Sequence, residues 1–220
     1  MAPAWEADHR TFPMLSLDDL GLDASLGEPL RLDAYREDFR ERQRTIDGQD
    51  SWKLERQQDF KEPGFASWDA FSRGDWEGAL RLAEEERDII REVAEETERR
   101  GVVLYRVRVV EKPLTPYLQW EMHLLRLRAE YGEKIRVIGP EQIEALESEH
   151  PLPELLTLGD QTVYRILYNK QGILDGGVRY LSHEVTARCR DFMRELYEAG
   201  EELGSYFARE VDPLPPPLSK

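Results

Sequence analysis

The stretch of residues 101–140 is the feature that most constrains the fold of this chain. Residues 102–110 are almost all β-branched, aromatic or arginine, which is typical of a strand buried on at least one face. Thr115 and Pro116 then supply a helix N-cap and a proline at the first helical position, so a helix should run to about Tyr131. Gly132 can end it, and residues 135–138 begin a second strand. The stretch predicts a right-handed βαβ unit.

The flanking patterns predict how this unit is extended. Residues 51–60 alternate as a half-exposed edge strand does, and residues 75–100 show one long apolar stripe with an acidic opposite face, as in a single surface helix. Residues 155–158, 162–168 and 173–181 predict antiparallel strands joined by tight turns. We therefore expect an α+β or α/β fold with a single mixed β-sheet, built on the βαβ unit plus an antiparallel hairpin and flanked by long helices.

The domain organisation follows from changes in composition. Residues 1–29 read as an N-terminal arm, residues 30–209 as one domain, and residues 210–220 as a proline-rich tail. Within the domain we expect a helical part (30–100) and a sheet-bearing core (101–209). The arm holds Trp5, Phe12 and several leucines, so we predict that it docks in an apolar groove beside the helix of residues 75–100.

Apolar residues in the last predicted helix recur at heptad-like spacing from Cys189 to Tyr206. This stripe could cover the sheet of its own chain, or it could pair two protomers. The chain is therefore expected to be a monomer or a homodimer through this helix, and the intramolecular alternative is favoured.

Composition excludes several function classes. The 220 residues carry a formal net charge of −15, whereas direct binding of DNA or RNA requires a basic surface. The single cysteine cannot form an intrachain disulfide, and no apolar run is long enough to span a membrane. We expect a cytoplasmic protein that binds neither nucleic acid nor membrane.

The chain shows no motif that predicts catalysis. Its four histidines are scattered, and none has the spacing of a zinc site, so we expect no metal. No nucleophile elbow, Walker loop or dinucleotide fingerprint is present, so we expect no cofactor. His183 and Cys189 lie nearly opposite in rotation on one helix and cannot act as base and nucleophile together.

One constellation of charged residues remains as a candidate ligand-binding site. Arg106 and Arg108 share one face of the central strand, and carboxylates are predicted in loops near the sheet. Such a set could hold an anion through the guanidinium groups, or it could be a structural network of ion pairs. The candidate site residues are Arg106, Arg108, Tyr117, Glu121, Glu133 and Asp160.

Residues 51–181 resemble the family of actinobacterial proteins called domain of unknown function 6879. The similarity is strongest in RVRVVEKPLTPYLQWEM and EYGEKIRVI, where Arg106, Arg108, Tyr117, Glu121 and Glu133 match the pattern of the family. It continues in LPELLTLGDQTVYRILYNKQGIL, although the aromatic and acidic residues usual after Leu-Pro are replaced there. The resemblance implies little chemistry, because the family has no assigned activity. Its members look like accessory proteins encoded beside helix-turn-helix regulators, which is an indication about partners only.

We therefore expect a non-catalytic accessory or regulatory interaction protein, with a protein partner that could be a DNA-binding regulator. The alternative is an enzyme or small-molecule binder with an anionic-ligand pocket at Arg106 and Arg108.

Overall fold

A computed structural model describes residues 17–23, 25–147 and 150–217. Within them, eight strands form one mixed sheet in the order β1-β7-β6-β5-β2-β3-β4-β8. The strands are β1 (Glu28–Arg31), β2 (Ser51–Glu55), β3 (Leu104–Val109), β4 (Lys134–Ile138), β5 (Leu155–Leu158), β6 (Thr162–Tyr168), β7 (Leu174–Leu181) and β8 (Glu201–Glu202). The α-helices are α1 (Leu32–Thr45), α2 (Ala66–Ser72), α3 (Trp76–Glu85), α4 (Arg87–Arg99), α5 (Pro116–Glu130), α6 (His183–Ala199) and α7 (Leu203–Glu210).

The predicted βαβ unit is β3, α5 and β4. β3 and β4 are parallel, and the Thr115 hydroxyl caps α5 by accepting a hydrogen bond from the Leu118 amide. β2 is also parallel to β3, whereas β5, β6 and β7 extend the sheet in antiparallel fashion. The prediction of a single mixed sheet is confirmed, and the fold is of the α+β class. Two strands, β1 and β2, come from the part of the chain before residue 101.

The two faces of the sheet have different chemistry. On one face α6 packs over Trp52, Leu54, Val107 and Val109 in an apolar cluster. The other face turns Arg106 and Arg108 towards α5, and both arginines are buried there. The alternation of β3 therefore places its apolar residues under one helix and its charges under another.

β2 is an interior strand, so the prediction of an edge strand was wrong. It pairs with β3 on one side and with β5 on the other, and it ends at Glu55. Lys53 and Glu55 gave it the alternation of a half-exposed strand. Glu55 is nevertheless buried, because its charge is paired with arginine from β3 rather than hydrated.

Two predicted continuous helices are interrupted in the structure. The predicted helix of residues 75–100 divides at Glu86 into α3 and α4. The predicted helix from Cys189 to Tyr206 divides at Gly200, because β8 pairs with β4 before α7 begins. A side chain at position 200 would meet Arg136 Cβ at 2.9 Å, so glycine permits this close approach. The chain after β4 forms only a 3₁₀ turn, Pro140–Gln142.

The stripe of the last helix is buried within one chain. Cys189, Phe192 and Leu196 lie in the cluster between α6 and the sheet, whereas Leu203 and Tyr206 pack in a second cluster under α5. This burial is what the intramolecular alternative requires. Whether a homodimer also forms stays a prediction.

The described part of the N-terminal arm packs on α6, which is not the predicted position beside residues 75–100. The 3₁₀ helix Leu17–Leu20 places Leu20 in the apolar cluster with no exposed surface, and β1 then pairs with β7. Glycine at position 176 of β7 permits β1 to approach closely, since a side chain there would meet Leu30 O at 2.2 Å. Trp5 and Phe12 lie outside the described residues, so the groove prediction for that part stays open. In the tail, Pro215 O accepts a hydrogen bond from the buried Gln119 amide.

Candidate functional site

Arg106 lies at the centre of a buried cluster of charges between the sheet and α5. Its Nη1 donates to Glu55 Oε2 at 2.5 Å, and its Nε donates to Glu133 Oε1 at 2.5 Å. Lys53 Nζ lies 2.5 Å from the second oxygen of Glu55. Burial alone would raise the pKa of Glu55, but Arg106, Lys53 and Arg108 together hold it below its ordinary value. The Glu55 carboxylate is therefore fully engaged by protein cations.

Arg108 is buried more deeply than Arg106 and is also paired. Its Nε donates to Glu121 Oε2 at 2.8 Å, and its Nη1 donates to the carbonyl oxygens of Glu55 and Val109. Its guanidinium carbon lies 5.7 Å from the centre of the Phe60 ring, within reach of a cation–π contact. Nη2 has no hydrogen-bond partner among the described residues.

Tyr117 joins the cluster from the first turn of α5. Its hydroxyl donates to Glu62 Oε1 at 2.6 Å and lies 3.1 Å from Glu121 Oε1. Burial raises the pKa of Tyr117 well above its ordinary value, and burial also raises the pKa of Glu62. The tyrosine hydroxyl therefore keeps its proton at neutral pH, and it has one proton to donate, with Glu62 as the nearer acceptor.

Five of the six predicted site residues belong to this cluster, and Asp160 does not. Asp160 lies in the turn between β5 and β6, at the sheet edge where β2 and β3 begin, and its Oδ2 lies 3.9 Å from His183 Nε2. Arg108 lies near the opposite ends of those strands. The sequence pattern could not show this separation, because it depends on the antiparallel pairing of β5 with β2.

The six ion-paired side chains of the cluster balance in charge. Lys53, Arg106 and Arg108 carry three positive charges, and Glu55, Glu121 and Glu133 carry three negative ones. An anionic ligand would therefore find every strong cation already bound to a protein carboxylate. The geometry favours a structural ion-pair network, whose disruption at one partner would leave an unpaired buried charge.

Glu154 is a buried acid that the sequence analysis missed. Its Oε1 accepts hydrogen bonds from the Arg56 and Gln57 amides at 2.9 and 2.7 Å, but its Oε2 has no partner among the described residues. Burial first, and then the negative charge of Glu55, raise the pKa of Glu154 to about 7. No local motif marks this residue, because its burial depends on three strands that meet only in the folded sheet.

The residues of catalytic interest do not form a reactive site. Cys189 is fully buried in the α6 cluster, and burial raises the pKa of its thiol to about 12, so the thiolate is not populated at neutral pH. His183 is exposed on the first turn of α6. Across the described residues, no three side chains of His, Cys, Asp or Glu are grouped to hold a metal ion. None of the helices in those residues is long and apolar enough to cross a membrane.

A cavity of about 590 Å³ lies between α4 and the sheet, and sequence analysis did not predict it. Its walls are largely apolar and include Ile89, Ile90 and Val93 from α4 and Leu156 and Leu158 from β5. No residue of α4 is buried, and Ile89 and Val93 are 57% and 55% exposed. The sequence signal was the apolar stripe of residues 75–100. Such a stripe indicates that a helix packs on the protein body, but not that a cavity separates the two.

Arginine side chains fasten both ends of α4. At its N-terminal end Arg87 Nη1 donates to Glu130 Oε2 at 2.7 Å and to the Tyr131 hydroxyl at 3.3 Å. After its C-terminal end Arg100 Nη1 donates to Gln43 O at 2.7 Å and to Ile46 O at 3.3 Å. α4 is thus attached to α5 and to the end of α1, with the cavity beneath its middle.

Comparison with known proteins places this arrangement in a family. Residues 37–208 match the model described as Domain of unknown function (DUF6879). The chain belongs to this family. The match includes the whole cluster around Arg106 and all of α4, but it begins after β1 and the described part of the arm. No curated protein matches the chain.

Proposed function

We propose that this member of the DUF6879 family is a non-catalytic accessory protein of the cytoplasm that regulates a basic protein by binding it. A helix-turn-helix regulator is the candidate partner. The net charge of −15 is the observation that carries the proposal, because an acidic protein attracts a basic partner and repels nucleic acid. The balanced ion pairs around Arg106 leave that excess of acid to the rest of the molecule.

The outward face of α4 is the surface that we propose for this contact. Residues 81–100 hold eight acids and five arginines. Asp88, Glu92 and Glu95 are exposed and lie on the side of α4 that turns away from the cavity. Arginine from the same helix pairs with Asp88 and Glu95, whereas Glu92 makes no ion pair with any described residue. A basic surface could therefore bind this helix without first breaking buried contacts.

The test is co-purification of the full chain from an actinobacterial host at low and moderate salt, with identification by mass spectrometry. The double variant Glu92→Lys, Glu95→Lys reverses charge on α4. Glu37→Lys, Glu41→Lys on exposed positions of α1 is the matched control, because it changes net charge equally.

The proposal requires one basic protein to be recovered with the native chain and with the α1 control, and to be lost with the α4 variant and on raising the salt. Recovery of no partner, or of a partner that both double variants retain equally, contradicts it. An acidic partner insensitive to salt contradicts it as well.

The alternative function is binding of an anionic small molecule at Arg106 and Arg108. Both guanidinium groups are already paired with Glu55, Glu121 or Glu133, and an anion that displaced one of these carboxylates would leave it buried and unpaired. Arg108 Nη2, which has no partner among the described residues, is closed to solvent. We therefore propose a structural role for the cluster. A chain that acts as a monomer is consistent with the burial of the α6 stripe, and light scattering of the purified protein measures this directly.

A further inference from the structure

The cavity beneath α4 has the size of a small-molecule site. Ligand pockets range over roughly 300–1,000 Å³ and are mostly apolar with a few polar groups, and this cavity of about 590 Å³ fits that description. A helix about 10 Å in diameter would fill the same volume within about five residues. The space is therefore too small for a partner helix, but it suits a compact apolar molecule.

The cavity is kept open by the way in which α4 is attached. If α4 moved towards the sheet, Ile89 and Val93 could pack on Leu156 and Leu158, and burial of those side chains would favour closure. The contacts of Arg87 with α5 and of Arg100 with the end of α1 hold the helix away instead. Ile89 and Val93 therefore stay 57% and 55% exposed at a cavity that is open to solvent, and a ligand lying there would cover their apolar surface.

Two cations with free donors meet at the turn between α5 and β4. Arg128 and Lys134 both line the cavity, and the Glu133 amide hydrogen bonds to Arg128 O, which closes the turn between them. Lys134 makes no ion pair with a described residue, and the nearest acid to Arg128 is Glu133 at 4.0 Å. Glu133 is already bound to Arg106. This turn therefore offers positive charge to an anionic head group.

Three acids line the cavity, and they do not offer a comparable site for a cation. Glu133 is already bound to Arg106. Glu86 lies before the first residue of α4 and Glu98 lies near its last residue. Twelve residues of helix separate the two carboxylates by about 18 Å, at a rise of about 1.5 Å per residue. They cannot bind one ammonium group together.

We propose that the cavity beneath α4 binds an amphipathic anion, with an apolar chain against Ile90, Val93 and Leu156 and a carboxylate head group at Arg128 and Lys134. This proposal is independent of the protein partner, because it uses the face of α4 opposite to the acidic one. It needs no covalent chemistry, and its ligand class is a hydrophobic carboxylate.

The test is calorimetric titration of the full chain with dodecanoate, and with dodecylammonium as the probe of opposite charge. Dodecanoate should bind saturably, and dodecylammonium should bind at least tenfold more weakly. The double variant Arg128→Ala, Lys134→Ala should weaken dodecanoate about tenfold or more. Arg91→Ala removes an exposed arginine of α4 that does not line the cavity, and it should leave the affinity unchanged.

A second variant tests the cavity itself. Ala94 lines it from α4, so Ala94→Trp should place an indole ring in the space that the apolar chain needs and abolish dodecanoate binding, whereas Arg91→Trp adds the same ring outside it. Thermal melts confirm that each variant is folded. Binding that survives Ala94→Trp in a folded protein, equal affinity for the two probes, or no saturable binding of dodecanoate would each overturn the proposal.

Discussion

Replacing Glu154 with glutamine should stabilise the protein at alkaline pH and change it little at acidic pH. Glu154 is 5% exposed, and its pKa is raised from 4.5 to about 7. Between these values the folded state holds a proton that the unfolded state has lost, so the free energy of unfolding falls as pH rises through this window. At about 1.36 kcal/mol per pKa unit, the raised pKa of Glu154 lowers the free energy of unfolding by about 3 kcal/mol, and this loss is complete above pH 7.

Glutamine keeps the favourable contacts of this side chain. Its amide oxygen can accept from the Arg56 and Gln57 amides as Glu154 Oε1 does, and its NH₂ group would occupy the position of Oε2, which has no described partner. The substitution therefore removes the charge with little change of shape. Above pH 7 the variant should be more stable by about 3 kcal/mol, and near pH 4 the two proteins should differ by much less.

The assay is urea denaturation of both proteins from pH 4.5 to pH 8. The difference in unfolding free energy isolates Glu154, because other titrating groups contribute equally to both proteins. Glu41→Gln, at an exposed position of α1, controls for the change in net charge and should give a difference within about 0.5 kcal/mol at every pH. Parallel stability curves for wild type and Glu154→Gln would refute the reasoning.

Three further predictions address packing and charge. Leu196→Ala should cost about 2–5 kcal/mol of stability without changing the mass measured by light scattering. The control Leu181→Ala, at a position 54% exposed, should cost under about 0.5 kcal/mol. A fall in the mass of the Leu196→Ala variant would instead reveal a dimer interface. Arg108→Ala should cost about 3–5 kcal/mol in urea melts, and Arg108→Met combined with Glu121→Leu should recover most of it; a small effect of the single change would contradict a structural role for the pair. Deleting residues 1–29 should lower the melting temperature and increase binding of a hydrophobic dye; an unchanged melt would show that Leu20 contributes little despite its burial.

The central βαβ unit could be predicted from sequence because each of its signals is local. The N-cap at Thr115 bonds to a residue three positions away, and the alternation in β3 needs no knowledge of the rest of the chain. The partners of Arg106 are different. Glu55 and Glu133 are 51 and 27 positions away, so the pattern could show that charges face one way but not which charges meet.

The errors in the prediction have the same physical origin. Lys53 and Glu55 read as solvent-facing because charge is usually hydrated, and only pairing across strands allows Glu55 to be buried. The division at Glu86 has no proline or glycine to mark it, whereas Gly200 did mark the division between α6 and α7. A continuous apolar stripe therefore predicted which face of a helix is buried more reliably than it predicted where the helix ends.

Glu133 links the ion-paired cluster to the cavity. One of its oxygens binds Arg106 inside the cluster, while the other lies 4.0 Å from Arg128 at the cavity wall. A carboxylate ligand at Arg128 would compete with Glu133 for that guanidinium, but it would not remove Glu133 from Arg106, where burial makes the pair costly to break. The cluster can thus remain intact while the cavity fills. A chain in which Arg106 and Arg108 are both paired with carboxylates could therefore still offer positive charge to an anion at Arg128 and Lys134.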